Sequence, residues 1–185
     1  VRVVQEILNN SLTIAALSKK LTGHLSLGMQ GEEFIAGLLS DIGKMIMFRE
    51  LKLDYAEVYR KHNADPMAMI DAELSEFGYT HADAATALAA KWSLPHRLAD
   101  ALWTQYPNAE RPLAEASDDK LAAVIRIART MAGEDFASSA PLRCTTDGEA
   151  WAVLDMAKNP IPPDHRRDVL TGFLTEVKNA PQLSL

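Results

Sequence analysis

An all-helical fold is predicted by three features of this 185-residue sequence. Apolar residues make up 48% of the chain but aromatics only 6%, so the apolar content is carried by Ala, Leu, Ile, Val and Met, a mixture weighted towards helix formers. In segment after segment the apolar positions recur at three- and four-residue spacing, the period of a helix with one buried face. No segment alternates with the two-residue period of a half-buried strand.

The elements follow in order. Val1, Val4, Leu8, Leu12, Ala15 and Ala16 trace a first helix that runs to about Leu21, with Gly23 as its interruption. It opens in mid-pattern without a capping residue, which predicts a helix cut at its start and a domain truncated at its N-terminus. A second helix begins near Glu32; Phe34, Leu38, Ile42 and Met45, with Ile35 and Leu39 beside them, predict burial at least as far as Asp41. Gly43 marks a break or a close helix contact. A short helix over Leu53 to Lys61 precedes one that starts at Pro66, whose fixed backbone angle suits a first turn, and ends at Gly78. Thr80-His81-Ala82-Asp83 has the form of a capping box and starts an alanine-rich helix reaching about Lys91. Pro95 opens the next, which stops near Tyr106-Pro107. Asp118 and Asp119 place acidic charge at the start of a helix that ends at Gly133. Residues 137–147, rich in Ser, Thr, Pro and Gly, are the expected linker, and helices over Trp151–Ala157 and Pro163–Val177 follow. The organisation expected is a helical core over 1–136, the linker at 137–147, and C-terminal helices packed on the core over 148–185.

A chain of this length can bury a sizeable core. The formal net charge of -6 provides no basic footprint for a polyphosphate backbone, so neither nucleic acid nor a membrane surface is an expected partner. Cys144 is the only cysteine; it rules out an internal disulfide and a cysteine-rich zinc site, and it reads as a free surface thiol in a reducing cytoplasm. There is no apolar run long enough for a membrane helix and no signal-peptide pattern, so the expected location is cytoplasmic.

Three motifs occur in order: Gly37-Leu38-Leu39-Ser40-Asp41-Ile42-Gly43-Lys44, then Glu73-Leu74-Ser75-Glu76-Phe77-Gly78-Tyr79-Thr80-His81-Ala82, then Ala89-Ala90-Lys91-Trp92-Ser93-Leu94-Pro95. Together they resemble the HD-related output domain, HDOD, of the HD superfamily, over roughly Val1 to Gly133. The resemblance implies an HD-domain-like helical bundle related to the HD-GYP phosphodiesterases. It also implies a set of metal-ligand positions at which this chain departs from the catalytic pattern. The first, normally the His of a His-Ser pair, matches Asn10-Ser11. The second, the His of a His-Asp pair, is Ser40; the third, Asp41, is retained. The last, normally Asp, matches Arg129, a cation where a cation should bind. His81 matches one further histidine of the HD-GYP enzymes, and Trp103-Thr104 stand where those enzymes have a His-His pair. A metal centre needs imidazole and carboxylate ligands converging from several helices. Asn10, Ser40, Asp41, His81, Trp103, Thr104 and Arg129 therefore describe a degenerate pocket, with no metal and no cofactor expected.

Plainer roles compete at each position. His81 at a helix start can bond nearby backbone or face solvent. Trp92 and Pro95 read as core packing and a helix start. Trp103 reads as a core aromatic or as part of a partner surface. Arg129 and Asp41 form the sharpest expectation: a buried carboxylate must be paired, and guanidinium charge is expected to replace metal charge there. By resemblance the function is that of a non-catalytic signalling or regulatory output module that acts on other signalling proteins or domains, with a homodimer left open. A residual metal-dependent phosphohydrolase acting on a nucleotide or cyclic di-GMP, and a nucleotide-binding sensor without hydrolysis, are the alternatives.

Overall fold

The computed structural model describes residues 2–106, 112–137 and 140–180, and among these every regular element is a helix. Helix α1 (Arg2–Leu25) buries Val3, Ile7, Ser11, Ile14, Leu17, Ser18, Leu21 and Leu25, a stripe at three- and four-residue spacing that faces the core along the helix's whole length. It passes through Gly23, where a Cβ would meet nothing within 4 Å, and ends only after Leu25 is fully buried. Burial of that leucine outweighs the cost of about 1 kcal/mol for a helical glycine.

Helices α2 (Glu32–Leu39) and α3 (Ile42–Leu51) are separated at Ser40 and Asp41. The two glycines flanking this joint are points of close approach. A Cβ on Gly37 would lie 2.6 Å from Cα of Ala15 in α1, and one on Gly43 would lie 1.8 Å from the carbonyl oxygen of His81. Gly43 is thus a helix contact within α3 and not the break itself. This packing also corrects the expected burial of α2. Its inward side carries Glu33, Ala36 and Gly37, whereas Phe34, Ile35 and Leu38 are 36, 49 and 40% exposed. Small residues let α2 lie directly on α1, and that contact turns the bulky apolar side outward.

Helices α4 (Leu53–His62) and α5 (Pro66–Phe77) form a pair; Asp65 caps the start of α5, and Gly78 ends it in the left-handed conformation. Helix α6 (His81–Lys91) opens with the full capping box of Thr80 and Asp83 and packs on α3 through Ala82, Ala85 and Ala89. Trp92, expected in the core, is 55% exposed, because the chain leaves α6 there through a left-handed Ser93. Helix α7 (His96–Trp103) leads to α8 (Asp119–Gly133), capped by Asp118 and buried at every position from Leu121 to Arg129. A helix enclosed on all sides is the centre of its domain.

The C-terminal elements, α9 (Arg143–Thr146), α10 (Gly148–Leu154) and α11 (Arg166–Asn179), share one core with α1 and α8, in which Trp151, Leu154, Leu170 and Leu174 meet Ile14, Leu17 and Ile127. The segment expected as a linker takes part in that core. Leu142 and Cys144 are buried, Glu134 accepts the amides of Arg143 and Cys144, and Trp151 Nε1 donates to the Cys144 carbonyl at 2.7 Å. Cys144 is therefore no surface thiol, and burial pushes its pKa far above the ordinary value. No described helix is long and apolar enough to cross a membrane.

Candidate functional site

Asp41 lies at the joint between α2 and α3 and has no exposed surface. Three donors from three helices reach its carboxylate. Asn10 of α1 donates through Nδ2 at 2.5 Å, Lys44 places its ammonium 3.2 Å away from one turn further along α3, and Arg129 of α8 forms a direct ion pair. Burial alone would raise the pKa of Asp41, but Arg129 and Lys44 outweigh it, with the Asn10 hydrogen bond adding to them. The carboxyl is held far below its usual range.

Arg129 is fixed on several sides. Its Nε donates to Gln105 Oε1 at 2.7 Å, its Nη2 donates to the Ser40 carbonyl at 3.1 Å as well as to Asp41, and its guanidinium lies 4.7 Å from the ring centre of Tyr106. Tyr106 connects this ion pair to a second buried group. Its hydroxyl is 2.7 Å from His81 Nε2, while His81 Nδ1 is 2.6 Å from Glu73 Oε2, which also accepts the His81 backbone amide. Tyr55 donates to the other Glu73 oxygen at 2.7 Å. Burial lowers the pKa of His81 against the pull of the Glu73 carboxylate, so the ring is neutral. Glu73, whose pKa burial would raise, is held low by the His81 hydrogen bonds and accepts throughout. This fixes the tautomer: Nδ1 carries the proton and donates to Glu73, and Nε2 accepts the Tyr106 hydroxyl, which burial keeps protonated.

A carboxylate bonded to Nδ1 with Nε2 pointing inward is the arrangement that orients a metal-binding histidine. Here Nε2 meets a tyrosine and the central cation is a guanidinium. Of the other positions, Ser40 Oγ donates to the Gly37 carbonyl and Thr104 Oγ to the Asp100 carbonyl, each within its own helical turn. Among the described residues no group of three or more His, Cys, Asp or Glu side chains could hold a metal ion. The side chains present do not fit the divalent centre of an HD hydrolase.

The sequence-derived set thus divides. Asn10, Ser40, Asp41 and Arg129 converge directly, and His81 joins them through Tyr106. Trp103 is half-buried at the end of α7, and Thr104 is buried with its carbonyl accepting Arg126 Nε. It is the next two residues, Gln105 and Tyr106, that enter the site. Lys44, Glu73, Tyr55, Gln105 and Tyr106 were not singled out from sequence. Lys44 is detectable as the cation three residues after Asp41, one helical turn away. Glu73, one turn before the end of α5, could have been paired with His81 across the Gly78 turn; the loop residue Tyr106 has no local signal.

The family model for the HDOD domain matches residues 2–107, more than half of the sequence. The chain belongs to the HDOD domain family. Solved structures agree at the level of fold. An HDOD domain protein of unknown function from Geobacter sulfurreducens has a TM-score of 0.69 at 18% identity, over 96% of this chain and 63% of that one. The MmoQ response regulator from Methylococcus capsulatus has a TM-score of 0.59 at 24% identity, over 79% and 59%. A protein from Shewanella amazonensis described as a putative phosphohydrolase also scores 0.59, at 19% identity over 93% and 62%. This HDOD chain spans about three fifths of the length of each. No curated protein matches it.

The buried network sets a pH dependence. Asp41, Glu73 and His81 have folded pKa values below their ordinary values of 3.8, 4.5 and 6.5. The unfolded chain therefore binds more protons than the folded one as pH falls, and stability falls with pH. Urea unfolding is expected to show a midpoint that drops as pH falls below about 6.5 through His81, and drops further below about 4.5 as the two carboxylates are protonated. A midpoint constant between pH 7.5 and pH 4 would contradict the assigned charges.

Proposed function

We propose that this HDOD domain is a non-catalytic output module, which passes a signal to other proteins through contacts of its helical surface and does not turn over a phosphate ester. The observation that carries this reading is the Arg129–Asp41 ion pair. The guanidinium lies against the carboxylate that would hold a metal, and Lys44 adds a second cation on the same oxygen. A divalent ion entering there would meet two positive charges at close range in a poorly solvated site. The imidazole is engaged as well, through Glu73 and Tyr106. Membership of a family of output domains supports the signalling half of the reading. A non-basic chain with net charge -6 supports protein over nucleic-acid partners.

The test is turnover. Purified protein supplied with Mn²⁺ or Mg²⁺ and offered nucleoside mono- and triphosphates and cyclic di-GMP is expected to release no phosphate and cleave no diester above the protein-free rate. Hydrolysis that is lost on Asp41→Ala would overturn the reading.

A further inference from the structure

Two cavities open onto the Asp41 centre, with volumes of about 410 and 450 Å³, each within the size range of small-molecule sites. They share Pro66, Tyr106, Arg129 and Gly133, so they are two lobes of one recess. The lobes differ in character. One has Pro66, Met67 and Tyr106 on its wall with Arg143, Thr146 and Asp147 at its other side, and the other presents Asn9, Asn10, Thr13, Lys44 and Asn63.

We propose that this recess binds a small organic anion, its charged head against Lys44 and Arg129 and its apolar body against Pro66, Met67 and Tyr106. The proposal rests on the reading of the Asp41 centre as ion-paired and not metal-bound. The charges at the wall of the polar lobe call for an anion, because Lys44 and Arg129 share a single carboxylate. In the other lobe Arg143 is paired with Glu134, and Asp147, which caps Ala150 through Oδ1, places a carboxylate away from the head position. Glu73 lines neither lobe and is occupied by Tyr55 and His81. Glu6, at the edge of the polar lobe, is paired with Arg2 at 3.1 Å. Donor capacity is also left over. Arg129 spends Nε and Nη2 on Gln105, Ser40 and Asp41; among the described residues its Nη1 has no hydrogen-bond partner, although the side chain is only 6% exposed. The Lys44 ammonium, 8% exposed at the side chain, has three protons and, besides the Tyr59 ring 5.9 Å away, has Asp41 as its one hydrogen-bonding partner among the described residues. A phosphate or carboxylate oxygen between these two groups would complete charge-assisted hydrogen bonds that the folded protein leaves open.

The chemistry accepts an organic phosphate or an organic carboxylate, and the experiment separates the two. Thermal unfolding and calorimetric titration in EDTA would compare adenosine 5′-monophosphate with adenosine, and indole-3-acetate with indole-3-acetamide. At millimolar ligand, at least one anion is expected to raise the melting temperature by a few degrees while its neutral counterpart does not. The member of the panel that binds names the source of the anion. Lys44→Met is expected to weaken that binding about tenfold. Met67→Glu, at a 43% exposed position in the first turn of α5, should weaken it similarly by repulsion. Anions that behave as their neutral counterparts do, or binding unchanged in both variants, overturn the proposal alone. Stabilisation that requires added divalent metal overturns the ion-paired reading and this proposal with it.

Discussion

Replacing Arg129 with methionine is expected to lower the unfolding free energy by about 3 kcal/mol and the melting temperature by roughly 10 °C. Methionine keeps most of the stem volume, so the loss reports the guanidinium and its bonds and not a cavity. Removing one partner of a buried ion pair costs about 3–5 kcal/mol, because the other is left charged and unsolvated. The lower end applies here, since Lys44 and Asn10 still reach the Asp41 carboxylate. The variant also strands the Gln105 oxygen and the Ser40 carbonyl, which accept from the same guanidinium. Urea unfolding with an unchanged slope would measure the effect. A loss under about 1 kcal/mol would mean that Asp41 does not depend on Arg129 for its charge.

Gly43→Ala is expected to be the most damaging single-methyl change in the chain, destabilising by more than about 4 kcal/mol or preventing folding. The added carbon would lie 1.8 Å from the His81 carbonyl oxygen, 2.7 Å from its carbonyl carbon and 3.1 Å from the Ala85 amide. All three are backbone atoms, so no rotamer change relieves the clash, and α3 must move off α6. That movement would pull on His81 just where Glu73 and Tyr106 hold it. Gly23→Ala provides the internal control. It adds the same methyl to a helix in open space and is expected to stabilise by about 0.5–1 kcal/mol. Comparable losses in both variants would contradict the packing described for Gly43.

Much of the helical framework was legible in the sequence because its punctuation is local. Pro66, Gly78, the Thr80–Asp83 box and Asp118 each act within one turn of where they stand, and each helix boundary they mark is present. Orientation was less legible. Phe34, Ile35 and Leu38 carry a normal core pattern, but Gly37 brings α2 so close to Ala15 that the small side faces inward. Periodicity locates a helix's stripe; it does not report which stripe a neighbouring helix selects. The segment around Cys144 failed for a related reason. Its polar, proline-containing composition reads as a spacer, whereas Leu142, Cys144 and the bond from Trp151 are long-range contacts that fix it in the core. At the site, the Asp41–Arg129 pair could be anticipated because one acidic position of the ligand pattern became a cation while the other, Asp41, stayed acidic. Tyr106 could not be, since only the tertiary fold brings it between Arg129 and His81.

On the proposed reading, the Arg129 guanidinium takes the place of a metal ion at Asp41. A double-mutant cycle decides this, with unfolding free energies measured for the unmodified protein, Asp41→Asn, Arg129→Met and the double variant, each in EDTA and again with added Mn²⁺. The expected result is a coupling energy of about 2 kcal/mol or more between the two residues, identical in both conditions. Coupling below about 0.5 kcal/mol, together with stabilisation of the unmodified protein by Mn²⁺ that disappears in Asp41→Asn, would contradict it.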